Sequence, residues 1–258
     1  MLMNKKTAII LQARTGSTRL PGKAVLPFFE EKGIFQIILE NLKTKFPTEK
    51  IILATTEKSA DDQLVEIANA ESILVFRGNE ADVLDRFVGA AKKYDAENII
   101  RVCADNPFLL PGAVQTLIDA SEKTGADYVS FSTEDGTPVI RSHWGLFAEA
   151  VKRDALERVV ASTDLPLYHE HVTNYIYEHP GDFKVNLIRL PEIFNGKSNY
   201  RFTLDTPADF ELLRDLYLNL FRRHGTGYFS PEQLFDYLEN EGKEIHAKMK
   251  IQIGQNAK

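Results

Sequence analysis

Residues 8–27 read AIILQARTGSTRLPGKAVLP. An apolar, β-branched run ends at Leu11 and opens into a loop carrying Gln12, Ala13, Arg14, Ser17, Arg19 and Lys23, shaped by Gly16, Pro21 and Gly22. A strand leading into a short loop of cations, hydroxyls and glycines suits a polyphosphate. Glycines let backbone N–H groups approach closely, and guanidinium forks grip phosphate oxygens. The same residues also fit a strand-to-helix loop whose cations face solvent. The spacing excludes two common nucleotide loops. A Walker A loop needs four residues between its glycine and its Gly-Lys pair, with Ser or Thr next. Here five residues separate Gly16 from Gly22, and Ala24 follows Lys23. The stretch does not read Gly-x-Gly-x-x-Gly either, which disfavours dinucleotide oxidoreductases.

Outward from this stretch, strand and helix patterns alternate to about residue 130. Strands are expected at 7–11, 50–55, 72–76, 98–103 and 127–131, and helices at 34–45, 60–70, 81–94 and 111–125. Val83, Leu84, Phe87, Val88 and Ala91 show the helical spacing in one of them. Such alternation predicts an α/β fold of three layers, a mainly parallel twisted sheet with helices on both faces. In such sheets ligands bind at the carboxyl ends of the strands, where the 12–23 loop lies. The alternation breaks over 132–200, which reads as an inserted subdomain within a single domain spanning 1–258. That stretch holds a helical segment around Tyr168–Tyr177 and a strand at 183–190. A strand at 200–204, an amphipathic helix from Thr206 and a last helix capped by Ser230 follow. Residues 252–258 read as a frayed tail.

The chain of 258 residues is 43% hydrophobic and 26% charged, ordinary for a globular protein. Its net charge of −6 argues against a general nucleic-acid binder. Cys103 is the single cysteine, which excludes an intrachain disulfide and argues against structural zinc. With no apolar run of secretory or membrane-spanning length, a cytoplasmic location and no membrane partner are expected.

Two aspartates stand out beyond the opening loop. Asp105 follows a buried-looking strand in RVCADNPFLLP (101–111), where a carboxylate could hold a divalent metal over phosphates. Asp-Asn-Pro equally initiates a turn. In LDTPADF (204–210), Thr206, Pro207 and Asp209 are explained as a helix start, which leaves Asp205 over at the same predicted edge. Two carboxylates from different strands make a Mg²⁺ site, since this ion takes one or two carboxylates plus substrate oxygens and water. His169, Glu170 and His171 lack the further ligands that zinc needs, and residues two apart on a helix face apart. No Asp-x-Asp occurs, which weakens a metal-dependent glycosyltransferase reading.

Taken in order, QARTGSTRLPGK, FRGNEADVLDR, CADNPFLLP, HEHVTNYIYEHP and FTLDTPADFELL resemble the cytidylyltransferases that make CMP-activated sugars, above all the spore-coat polysaccharide branch. The resemblance covers about residues 6–240. It implies a glycosyltransferase-A-like domain that transfers CMP from CTP to an acidic sugar and releases pyrophosphate. By the family pattern Arg14 and Lys23 are catalytic, and Gln12, Ala13, Ser17 and Arg19 join them on the nucleotide. Asp105 and Asp205 hold Mg²⁺; Thr55, Arg77, Asp82 and Arg86 stand near the nucleoside; Glu170 and His171 face the sugar. The insert supplies a homodimer contact. The sequence departs from the pattern at Cys103 and Ala104, where the family often carries a polar residue and glycine. Two other readings compete: a nucleotidyltransferase joining another NTP to a sugar phosphate, and a catalytically silent nucleotide-binding partner.

Overall fold

The computed structural model describes residues 6–255. Its centre is one sheet of seven strands: β1 (Thr7–Gln12), β2 (Ile51–Thr56), β3 (Leu74–Gly78), β4 (Asn98–Cys103), β5 (Tyr128–Ser132), β6 (Glu149–Lys152) and β7 (Val185–Arg189). They lie in the order β3-β2-β1-β4-β6-β5-β7. All neighbours are parallel except β6, which runs antiparallel to both β4 and β5.

Among the described residues the α-helices are α1 (Ile34–Lys43), α2 (Asp62–Ala70), α3 (Val83–Lys93), α4 (Pro111–Thr124), α5 (Arg153–Ser162), α6 (Pro166–Glu170), α7 (Asn174–Glu178), α8 (Pro207–His224), α9 (Pro231–Asn240) and α10 (Lys243–Gln255). Strand residues alternate between two cores, as the period of two requires. Ile9, Leu11, Ile51, Leu53, Ile100 and Val102 face α1, α2, α4 and α8–α10. Ala8, Ile10, Ile52, Ala54 and Ile99 face α3, α5 and α7. The three-layer α/β architecture expected from the sequence is therefore present. Burial on both faces also explains why β2 reads as an unbroken run, IILATT, with every residue buried.

Strand β1 has β2 on one side and β4 on the other, so the chain leaves it in opposite directions. At this switch point the connections diverge and open a crevice at the strands' carboxyl ends. The loop after β1 and the turn after β4 both flank it.

Several expectations need correction. Residues 200–204 are extended but join no strand ladder. Phe202 N donates to His143 O at 2.9 Å and Leu204 N to Asp105 O at 2.9 Å, so loops satisfy this backbone. Strand β6 and helix α5, not expected from the sequence, fall inside the stretch read as an inserted subdomain; four residues, EAVK, carry too little pattern to show a strand. The helix expected around Tyr168–Tyr177 is two short helices, parted at residues 171–173. Helix α9 is not the last, because α10 runs through residues 252–255, read from sequence as tail; residues 256–258 lie outside the described residues. Residues 132–200 add β6 and β7 to the main sheet as well as carrying α5–α7.

Candidate active site

A cavity of about 690 Å³ opens at the switch point between β1 and β4, within the size range of small-molecule sites. Gln12, Ala13, Arg14, Ser17, Arg19 and Lys23 line it, as do Asp105 and Asp205.

The 12–23 loop is built around Thr15. Its carbonyl accepts from Ser17 N at 2.9 Å and from Gly22 N at 2.8 Å, closing the loop on itself. Gly22 has φ +73°, a left-handed conformation that costs glycine little and other residues more. Thr15 N and Oγ1 each donate to Asp61 Oδ1 at 2.7 Å. The other carboxylate oxygen of Asp61 accepts from Thr55 Oγ1 at 3.0 Å and from Thr56 N at 3.2 Å. Burial alone pushes the Asp61 carboxyl pKa up, but the hydrogen bonds from Thr56, Thr15 and Thr55 outweigh it and hold the group below the usual carboxylate range. A buried anion at the head of α2 thus ties the loop to β2. Sequence reasoning missed it; its one signal is an acidic pair, Asp61-Asp62, just past a strand ending in two threonines.

Lys23 brings the two expected carboxylates together. Its Nζ donates to Leu204 O at 2.8 Å and to Asp105 Oδ2 at 3.4 Å, and lies 3.9 Å from Asp205 Oδ1. Arg19 Nη2 donates to the same Asp205 oxygen at 2.9 Å. Arg201 also escaped notice in the sequence. It is buried and donates to Asp209 through Nε and Nη2, both at 2.8 Å, and to Asp205 Oδ2 at 3.0 Å. Asp209 in turn accepts from the backbone N–H groups of Asp205 and Thr206, each at 3.0 Å. The helix-start residue Asp209 therefore also orients Asp205. Gly145, at φ +56°, allows this packing, since a Cβ there would come within 2.8 Å of the Phe202 backbone.

The donor set fits a hard divalent cation. One ammonium already stands among a carbonyl and two carboxylates from separate segments, all of them oxygen ligands. Among the described residues no group of three or more His, Cys, Asp or Glu is placed to hold a metal. Asp105 and Asp205 are thus a carboxylate pair that could hold one divalent cation in part, since Mg²⁺ takes one or two carboxylates with other oxygen ligands.

Four expected residues lie outside the cavity lining. Thr55 is buried and bonded to Asp61. Arg77 is occupied by Thr56 O at 2.8 Å, Lys58 O at 2.6 Å and Asp62 at 2.6 Å. Asp82 caps α3, accepting from Asp85 N at 2.8 Å, and binds His169 Nδ1 at 2.7 Å. Arg86, on α3, is fully buried with Nη1 donating to Asn79 O at 2.8 Å. Thr55, Arg77 and Asp82 thus spend their polar groups on neighbours, while Arg86 Nε and Nη2 are buried without a partner. Glu170 and His171 do line the cavity, as do Asn174 and Tyr177.

The floor is polar where a sheet face is usually apolar. Arg101 and Cys103 of β4 and Glu149 of β6 line it. Burial pushes the Cys103 thiol up to about 11, so it stays protonated and is a poor nucleophile near neutral pH. Gln12 Oε1, Arg101 Nε and Thr203 Oγ1 are buried lining atoms without a partner.

Comparison with known proteins agrees with this geometry. The cytidylyltransferase family model matches residues 8–248. An uncharacterized Methanocaldococcus jannaschii protein is 37% identical over 230 residues, 89% of each chain. The spore coat polysaccharide biosynthesis protein SpsF of Bacillus subtilis is 35% identical over 215 residues, 81% of this chain and 85% of that one. A solved cytidylyltransferase from Leptospira borgpetersenii superposes with a TM-score of 0.79 at 29% identity, covering 93% of this chain and 97% of the other. A match over nearly the whole chain, on the fold and loop described above, makes this protein a member of the cytidylyltransferase family and so a nucleotidyltransferase.

Proposed function

We propose that the protein transfers CMP from CTP to an acidic sugar, of the nonulosonate or octulosonate kind, with Mg²⁺ on Asp105 and Asp205. Pyrophosphate is released, and the product feeds a surface polysaccharide or glycan. The observation that carries this reading is the Lys23 ammonium, which the structure holds between two carboxylates at the mouth of a cationic loop.

In this reading Arg14, Ser17, Arg19 and Lys23 bind the triphosphate. A sugar hydroxyl oxygen forms a bond to the α-phosphorus while the bond to the bridging oxygen breaks. Pyrophosphate leaves with that electron pair and the hydroxyl proton passes to water. Negative charge moves onto the departing oxygens, where Lys23 and Arg14 offset it; the acceleration comes from positioning and fixed charge. Bound Mg²⁺ would supply Lewis-acid neutralisation of phosphate charge at Asp105 and Asp205. Lys23 Nζ has freedom to turn from the carboxylates to phosphate, because its flexible stem carries a single mobile ammonium.

Pyrophosphate release with CTP, UTP, GTP and ATP, each against sugar acids and sugar phosphates, tests the reading. Release with CTP and a sugar acid supports it. Release only with another NTP and a sugar phosphate would replace it, and tight CTP binding with no turnover of any sugar would point to a silent partner.

A further inference from the structure

Arg101 is a charged group lining the cavity that keeps a buried donor, Nε, without a partner. It lies on β4, two residues or about 7 Å back from Cys103, beside β6 and away from β2 and β3. Only 8% of the residue is exposed. Its Nη1 donates to Glu149 Oε2. Glu149 is engaged from other sides as well: Tyr128 Oη and Thr173 Oγ1 both donate to its Oε1, the latter at 3.0 Å. Three donors from β4, β5 and the residue before α7 thus fix this carboxylate, and through it the plane of the guanidinium.

The other edge of that guanidinium carries the Nε and Nη2 hydrogens, side by side. Nε is buried and has no acceptor. A buried, charged donor without an acceptor is costly, so the free edge marks a place where a ligand is expected to complete the bonding. Two parallel N–H groups on a locked plane match the two oxygens of a carboxylate. The surroundings of Arg101 differ from those of the phosphate-directed cations. Glu149 and Thr173 connect Arg101 to the segment carrying His171, Asn174 and Tyr177, whereas the phosphate-directed cations Arg14 and Lys23 belong to the loop after β1.

Resting on the function proposed above, we infer that Arg101 recognises the acceptor, its Nε–Nη2 edge pairing with the carboxylate of the sugar acid while Glu149 holds it in position. The pair Arg101–Glu149 then sets the preference for acidic over neutral sugars, separately from nucleotide choice.

The test uses the full chain and Arg101→Lys, which keeps the charge beside Glu149 but removes the fork. Acceptor and CTP KM are measured with the sugar acid found to turn over and with its carboxamide. Arg101→Lys is expected to raise KM for the acid about 10- to 100-fold, the scale of a lost charge-assisted hydrogen bond. KM for the carboxamide and for CTP should stay within about twofold. Equal losses for acid and carboxamide would overturn the inference, as would a rise in CTP KM, which would place the nucleobase on this edge.

A binding readout separates this inference from the proposed reaction. A panel of sugar acids and their carboxamides is titrated against wild type and Arg101→Lys, with the melting temperature followed. Acids that stabilise wild type more than their carboxamides, with the difference lost in Arg101→Lys, support the site even where CTP proves inactive. If no acid outbinds its carboxamide in wild type, the inference fails, and CTP-dependent turnover of neutral sugars would leave cytidylyl transfer standing without it.

Discussion

Arg201 grips Asp209 through two hydrogen bonds of 2.8 Å and extends the same Nη2 to Asp205 at 3.0 Å. Asp209 is 1% exposed and also accepts from the Asp205 backbone N–H. Burial pushes the Asp209 carboxyl up, but Arg201 and these N–H groups overcome it and keep the carboxyl below its ordinary range. A proposed metal ligand is thus held by a helix cap. Arg201→Met leaves a buried carboxylate without its cation and is expected to destabilise the fold by about 3–5 kcal/mol, measured by urea unfolding. Arg201→Lys keeps the charge and loses the fork. It should fold with a smaller loss and show weaker dependence on Mg²⁺; unchanged metal affinity would mean that Asp205 needs no such support.

Lys23 faces both carboxylates and lies in the loop proposed to bind the triphosphate. Lys23→Ala is expected to lower CTP-dependent pyrophosphate release by about 10²–10³-fold, the scale of losing one electrostatic stabiliser. Its stability should change little, because its side chain remains partly exposed and spans the mouth of the site. Near-normal turnover would remove Lys23 from the chemistry.

Asp105→Ala and Asp205→Ala are each expected to abolish Mg²⁺-dependent turnover while leaving CTP binding without metal measurable. The check is a metal titration of pyrophosphate release at saturating CTP. A variant that keeps the wild-type metal response would exclude that carboxylate as a ligand.

Asp61 anchors the loop at Thr15 and has a depressed pKa. A carboxylate with a folded pKa below its unfolded value contributes stability that is complete above the unfolded value, about 3.9, and is lost as pH falls through the folded value. Asp61→Asn should therefore be less stable than wild type at neutral pH, by about 1–3 kcal/mol for the unmade buried bonds. The gap should narrow below about pH 4. A parallel rise in CTP KM would show that the anchor shapes the loop, whereas a stability loss with unchanged KM would limit Asp61 to the core.

The strands of the first half were legible because each is an apolar run ended by turn residues. The first-half helices were legible because Val83, Leu84 and Phe87, for example, repeat at helical spacing. Lys23, Asp105 and Asp205 were legible as charges stranded at strand ends. Arg201 and Asp61 were not. Their roles come from pairing across 8 and 46 residues, and periodicity carries no signal for a buried polar contact. Strand β6 was hidden for a related reason: its four residues earn their strand geometry from β4 and β5 on either side rather than from local propensity. Thr55 and Arg77 show how residues at strand ends can spend their polar groups on neighbouring backbone and carboxylates, which periodicity does not reveal either.

His169 stands between two acceptors, with Nδ1 2.7 Å from Asp82 Oδ2 and Nε2 2.9 Å from Thr163 O. A neutral imidazole can donate to only one of them; the imidazolium donates to both. The Thr163 carbonyl raises the His169 pKa most, burial opposes it, and Asp82 and Asp164 add to the rise. Because the folded pKa exceeds the unfolded value, this clamp is complete below about pH 6.5 and is lost as pH climbs through the folded value. The clamp joins α6 to the start of α3, and α6 leads directly into Glu170 and His171 on the cavity wall. Acceptor KM is therefore expected to rise above neutral pH with CTP KM nearly constant. His169→Gln, which cannot gain a charge, should show a raised acceptor KM already at pH 6 and no further rise attributable to this step. Matching pH profiles for wild type and His169→Gln between pH 6 and 9 would dismiss the clamp, because no other consequence of losing the side chain depends on its proton.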